Sequence, residues 1–308
     1  MPRSTAFAIA FSLLSGTAHA AAYDDAFVAY RKGDYQLALK LMKPLAEAGN
    51  VNAQYNVGVM YNENLVKQDY AEAAKWFQKA AAQGNVFAEV DLGTLYEYGR
   101  GVKTDYKEAL RLFRLAADKK NPTAEFSLGS MAERGLGVPQ DYKEAVKWYQ
   151  LAANQGNADA QYDLALMLMA GRGVPQDYKQ AASWYRKSAD AGNASAQLNL
   201  GALYYAGQGV PKAPKEALKY FRLAAQQGNG RAQFNLATLY TNGDEGVAQD
   251  RPRALIWFNA AAVTLTGNDA KIADENGKAV AAQMTREQIR AAQELGHKCQ
   301  AGDYKSCD

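Results

Sequence analysis

The chain is poor in the residues that most catalytic chemistry needs. Its 308 residues include two Cys and two His. A catalytic zinc site has almost no ligands to draw on, and a His-based triad fares no better. No Ser is followed three positions later by Lys, so a penicillin-recognising serine site lacks its motif. No stretch is apolar over the roughly twenty residues that a membrane-spanning helix requires. Charge of one sign is missing too: 35 basic residues against 32 acidic ones give +3. No run of like charges stands out, which argues against a broad surface for nucleic acid. What the chain does have is 48% hydrophobic residues, 11% aromatic residues and 19 Tyr. That suffices for a core without metals or a disulfide framework.

The N-terminus reads as an export address. Arg3 gives a positive start, Ala6 to Leu14 form a short apolar run, and Ala18-His19-Ala20 fits a small-x-small cleavage site. The expectation is a signal peptide over 1–20, cleaved near Ala20, and a periplasmic or secreted product. No Cys follows the apolar run, so a lipid anchor is not suggested.

The remainder repeats itself. Asp69-Tyr70, Asp105-Tyr106, Asp141-Tyr142 and Asp177-Tyr178 recur at one interval, and Gly49-Asn50, Gly84-Asn85, Gly156-Asn157, Gly192-Asn193 and Gly228-Asn229 keep the same beat. A third marker is Val57-Gly58, Leu92-Gly93, Leu128-Gly129, Leu164-Ala165, Leu200-Gly201 and Leu236-Ala237. A shared period in the thirties signals stacked repeats. Each period predicts two helices: Ala160, Leu164 and Leu168 stripe one, and Ala145, Trp148, Tyr149 and Ala152 the other. Gly171-Arg-Gly-Val-Pro175 and its echoes form the connection, where glycines allow a tight turn and Pro stops the helix. A lone pair leaves an apolar face uncovered, and stacking pairs buries it.

The string Asp141-Tyr-Lys-Glu-Ala-Val-Lys-Trp-Tyr-Gln-Leu-Ala-Ala-Asn-Gln-Gly-Asn157, with Ala160-Gln-Tyr-Asp-Leu164 and Gly171-Arg-Gly-Val-Pro175, resembles a Sel1-like repeat. The resemblance runs from Tyr23 to Ala262, and Met284 to Ile289 resemble the opening of the family's C-terminal helix. Departures are local: Ala213-Pro214 stands for Asp-Tyr, Asn64 for a loop glycine, and Gly243 to Asp250 carries one extra residue. The resemblance implies an all-α fold, a right-handed superhelical solenoid of antiparallel helix pairs. It also implies an adaptor that holds other proteins. Relatives linked to β-lactam binding carry paired cysteines in each repeat, which this chain lacks. The expected organisation is 1–20 signal peptide, 21–264 repeats and 265–308 C-terminal capping helices with a tail.

Several residues invite a chemical reading and receive a structural one. Asp69/Glu72, Asp105/Glu108 and Asp141/Glu144 could be mistaken for catalytic carboxylate pairs, but each is Asp-x-x-Glu at a helix start, the pattern of a capping box. The aromatic pairs at Trp76, Trp148, Trp184, Tyr220 and Trp257 sit at one fixed position and are expected to pack; as sugar platforms they would have to be exposed. The Gly-x-Gly loops run into Val-Pro rather than a helix with Lys-Ser/Thr, so phosphate binding has no support. Gly93, Gly129 and Gly201 lie inside helices, where Gly costs about 1 kcal/mol, so two helices should approach closely there. Cys299 and Cys307 are expected to pair; a metal pair with His297 or free thiols are the alternatives.

What remains is a face for a partner. If the first helices line the concave side, two residues before each Gly58 equivalent stand Asn56, Asp91, Ser127, Asp163, Asn199 and Asn235. These short polar side chains could bond an extended peptide backbone. Beside them run Tyr55, Val90, Phe126, Tyr162, Leu198 and Phe234, which could equally be the repeat's own packing. Glu97, Glu133, Met169, Tyr205 and Thr241 vary between copies and would set specificity. The expected protein is a non-enzymatic monomeric scaffold without cofactor, binding a protein or extended peptide in the envelope. A glycan-acting envelope enzyme or accessory, or a secreted host-binding factor, is the alternative.

Overall fold

Helix starts are written twice in every period. Gly49, Gly84, Gly156, Gly192 and Gly228 take positive φ, and the Asn after each caps the next helix. The side chains of Asn50, Asn85, Asn121, Asn157, Asn193 and Asn229 accept a first-turn backbone N–H at 2.9–3.0 Å. Lys120 replaces the glycine once and still holds φ 59. Second helices begin on Asp: the Asp69, Asp105 and Asp141 carboxylates each accept two backbone N–H groups of the first turn.

The full capping box does not form at these three positions. Glu72, Glu108 and Glu144 turn forward to Lys75, Arg111 and Lys147 instead of back to the cap. The cap N–H is already taken: Asp69, Asp105 and Asp141 donate to the carbonyls of Tyr61, Tyr96 and Ala132 on the preceding helix. The reciprocal box appears at the C-terminal helix, where Thr285 N–H donates to Gln288 Oε1 and Gln288 N–H to Thr285 Oγ1.

The structure, a computed structural model, describes residues 17–301 and residue 307. Of the expected leader only residues 17–20 fall among them, within the first helix; residues 1–16 lie outside. Contacts divide the chain into two compact units, Met1–Trp148 and Tyr149–Asp308. The first holds α1 (Thr17–Arg31), α2 (Tyr35–Glu47), α3 (Val51–Asn62), α4 (Tyr70–Ala82), α5 (Val86–Tyr98), α6 (Tyr106–Asp118) and α7 (Pro122–Arg134). The division falls inside α8 (Tyr142–Asn154). The second unit continues with α9 (Ala158–Ala170), α10 (Tyr178–Asp190), α11 (Ala194–Ala206), α12 (Pro214–Gln226), α13 (Gly230–Asn242), α14 (Arg251–Thr264), α15 (Gly267–Ala281) and α16 (Arg286–Ala301). Among the described residues the only non-helical pairing is an isolated bridge between Asp244 and Val247.

Packing inside a pair explains the helical glycines. A Cβ added at Gly58, Gly93 or Gly201 would stand 2.5, 2.8 or 2.7 Å from the ring of Phe77, Phe113 or Phe221. First and second helix therefore touch through a ring laid on bare backbone. Ala165 and Ala237 fill the same register in two copies and are fully buried.

A second row went unread in the sequence. Gln54, Glu89, Glu125, Gln161, Gln197 and Gln233, four residues before the Gly58 position, are all buried. The Nε2 amides of Gln54, Gln161, Gln197 and Gln233 donate to the carbonyls of Ala46, Ala153, Ala189 and Ala225 at the end of the preceding helix. The residue closing the next helix then meets the row: Gln83 bonds Gln54, Lys119 bonds Glu89, Gln227 bonds Gln197 and Thr264 bonds Gln233. Buried polar groups are costly unless paired, so this row fixes register between pairs. At Ala191 the partner is missing, and Gln161 Oε1 is left without a bond.

At the C-terminus Cys299 and Cys307 are fully buried within the core that holds Ile256, Trp257 and Ala292. Their sulfurs lie against each other, with Cα atoms 4.9 Å apart. The part of the expected tail at 302–306 and 308 lies outside the described residues.

Candidate partner-binding face

The side of each first helix turned away from its own second helix carries the expected polar row. In the first unit that row is closed at Asn56, while Asp91 and Ser127 are half-buried. Asn56 is 1% exposed, and its Nδ2 donates to the Tyr23 hydroxyl of α1 at 2.7 Å. Tyr55 and Val59 beside it are also buried. Burial, with the Asp91 carboxylate behind it, pushes the Tyr55 hydroxyl well above the usual tyrosine value. Glu97, expected to read a partner's side chains, is 8% exposed and pairs with Arg134 at 2.9 Å. Asn56 and Glu97 are thus packing residues, because α1 and Arg134 reach them first. Asp91 and Glu133 are half-buried, and the Glu133 carbonyl accepts the Gln140 side-chain amide.

In the second unit the row is more open. Asp163, Asn199 and Asn235 are half-buried, as are Tyr162, Leu198 and Phe234 next to them, and Tyr205 is exposed. Asn199 Nδ2 donates to the Tyr185 hydroxyl at 3.1 Å, and the Tyr185 hydroxyl donates to the Met169 sulfur. Tyr162 and Tyr185 stack at a tilt with ring centroids 5.8 Å apart. Burial pushes both hydroxyls up, so both stay protonated donors at neutral pH. Phe234 packs edge-on against Phe258 at 5.4 Å. Part of each side chain is therefore committed to the fold and part faces solvent.

Trp76 and Trp257 are buried, while Trp148 and Trp184 are half-buried. The Lys79 and Lys187 ammonium groups stand 4.2 and 3.9 Å from the Trp76 and Trp184 rings, capping the faces a sugar would need. Among the described residues no group of three or more His, Cys, Asp or Glu side chains is placed to hold a metal ion, and no helix is long and apolar enough to cross a membrane.

These features define an all-α solenoid of antiparallel helix pairs whose variable surface lies on its first helices. The Sel1 repeat pattern matches seven consecutive segments, residues 19–50, 51–85, 86–121, 122–157, 158–193, 194–229 and 230–262. The chain belongs to the Sel1 repeat family, whose members are generally scaffolds for protein–protein interaction. A Sel1 repeat protein from Oxalobacter formigenes is 35% identical, with a TM-score of 0.73 over 79% of this chain and 100% of that one. A protective antigen present in uropathogenic Escherichia coli strains, which displays an SLR fold, is 32% identical, with a TM-score of 0.60 over 94% of this chain and 70% of that one. No curated protein matches.

Proposed function

We propose that the chain is an exported scaffold that holds an extended segment of another protein on the first helices of its second unit. The observation that carries this reading is the face of α9, α11 and α13, where half-exposed Tyr162, Leu198 and Phe234 and exposed Tyr205 alternate with Asp163, Asn199 and Asn235. Backbone groups of a bound segment need partners once they leave water, and an unmet one costs about 1–3 kcal/mol. Short amides and carboxylates meet that need without filling the face. Met169 and Tyr205 would read side chains. Export rests on Arg3, the apolar run at 6–14 and the small residues at 18–20, and the two buried cysteines suit an oxidising compartment. The Escherichia coli relative is described as a protective antigen, which favours a site of action outside the cytoplasm for this chain as well.

A photo-crosslinking residue at Tyr205, compared with one at Lys219 on α12, tests the reading in the native organism. Adducts to one defined protein from position 205 and none from 219 are expected. Equal adducts from both positions, or turnover of a substrate by the purified chain, would overturn it.

A further inference from the structure

The second residue of each first helix occupies one register position. On α9, α11 and α13 that residue is Asp159, Ser195 and Arg231, so the position passes from negative through neutral to positive within the second unit. Asp159 and Arg231 are exposed and Ser195 is half-buried. Neighbouring first helices come close here: the Asn193 side-chain amide, at the start of α11, reaches the Asp159 carboxylate at 3.3 Å. Arg231 has no ion-pair partner among the described residues. It also stands in a helix's first turn, where the macrodipole disfavours a cation. Its charge is exposed and unpaired among the described residues.

Between the two charged ends the first helix itself carries no charge, and the cation near Tyr205, Lys212 at 5.9 Å from its ring, is paired with Asp244. All thirteen residues of α11 are uncharged, and Leu198, Ala202 and Tyr205 look outward from it. At the α9 end Asp163 adds a second carboxylate one turn beyond Asp159.

Resting on the reading above, we infer that the segment held on this face is electrically polar. A basic residue lies over Asp159 and Asp163, an uncharged apolar stretch crosses Leu198 and Tyr205, and an acidic residue meets Arg231. A segment with like charges at both ends would set one of them against its own sign.

Four acetylated and amidated peptides test this on the full chain by fluorescence anisotropy. They share an uncharged core of Val, Ala and Tyr, flanked as Lys–core–Glu, Lys–core–Lys, Glu–core–Glu or Ser–core–Ser. Lys–core–Glu should bind at least tenfold more tightly than either like-charged peptide, with the margin shrinking at high salt. Arg231→Glu should transfer the preference to Lys–core–Lys, and Asp159→Lys with Asp163→Lys should transfer it to Glu–core–Glu. The milder Arg231→Gln should only erase the preference for Glu at that end. A thermal midpoint within a few degrees of the parent certifies each fold. If the peptides bind but their order is unmoved by the reversals, the polarity is wrong while docking on this face stands. If none binds saturably, the polar-segment inference falls, and the Tyr205 crosslink decides separately whether the scaffold reading falls with it.

Discussion

Asn56 on α3 and Asn199 on α11 stand at the same register position of the same repeat, yet one is sealed and the other is half open. The difference lies in the neighbours. In the first unit, α1 supplies Tyr23, whose hydroxyl accepts the Asn56 amide, and Arg134 covers Glu97. In the second unit the amide of Asn199 finds a tyrosine of the preceding pair, Tyr185 on α10, and the remainder of the side chain stays at the surface. A repeat template therefore does not assign a role to a position. What packs against it does: Asn56 and Glu97 are committed to packing, while Asn199 and Tyr205 stay available for a partner.

The largest contrast to break concerns the C-terminal end of the second unit. The Cys299–Cys307 pair closes a short loop there, and on the chain-entropy account such a loop contributes roughly 2.5 kcal/mol. Replacing both with Ala should lower that unit's thermal midpoint by roughly 5–10 °C and leave the first unit's unfolding unchanged. Under non-reducing conditions the parent chain should weigh two hydrogens less than its reduced form. Free thiols that alkylate in the native fold would reject the pairing.

Next in size is the sealed row itself. Asn56→Ala removes a buried hydrogen bond and orphans the Tyr23 hydroxyl, at a cost of about 1–3 kcal/mol. Asn235→Ala, at the same register but half-buried, should stay within about 0.5 kcal/mol. Equal losses in urea unfolding would erase the distinction between the units. Binding should behave in the opposite sense. Asn199→Ala with Tyr205→Ala should weaken the partner at least tenfold, about 1.4 kcal/mol, with the thermal midpoint within a few degrees. Asn56→Ala should leave affinity untouched.

The repeat period, the helix pairs and their bounds were legible because glycine, asparagine and aspartate act locally: a positive-φ turn and a side-chain cap leave a signature in adjacent residues. The close approach expected at Gly93, Gly129 and Gly201 was legible as well, since a helical glycine demands a reason, and it is met at Gly93 and Gly201. Asn56 and Glu97 were misjudged because their covers, Tyr23 and Arg134, lie more than thirty residues away, and periodicity carries no record of such encounters. The buried Gln54–Gln233 row could have been found. Gln or Glu recurs four residues before every Gly58 equivalent, and a long polar side chain kept at one register of an otherwise apolar stripe signals an internal bond. The capping box was half right for the same reason: the Asp acts within its turn, whereas the Glu lost its target to a carbonyl of the preceding helix.

Caps offer a smaller contrast, between α8 and α12. Asp141 caps α8 with two bonds, while Ala213 at the equivalent place gives α12 no side-chain cap. Asp141→Ala should cost about 1 kcal/mol and Ala213→Asp should return about as much. Neither should alter binding. A binding loss from Asp141→Ala at unchanged stability would reinstate the acidic ladder as a functional feature.

The smallest contrast is electrostatic. At the caps of α4, α6 and α8 the third residue on is Glu and turns away to a cation, but at α10 it is Gln180. Its backbone N–H and its side-chain amide both donate to Asp177. The backbone bond first, and the amide second, hold the Asp177 carboxyl below its ordinary value. A depressed folded value means that the contribution to stability is fully present above the unfolded value of about 3.9. It fades as pH falls below about 4 and through the lower folded value. Carboxyl NMR titration should place Asp177 below an unstructured aspartate. Gln180→Ala should raise it part of the way, because the backbone bond survives. Gln180→Glu should raise it further, since the amide donor is lost and a like charge arrives at the same distance. If Gln180→Glu left Asp177 where it began, the side-chain bond would have no influence on the charge, and the α10 cap would work no differently from the three before it.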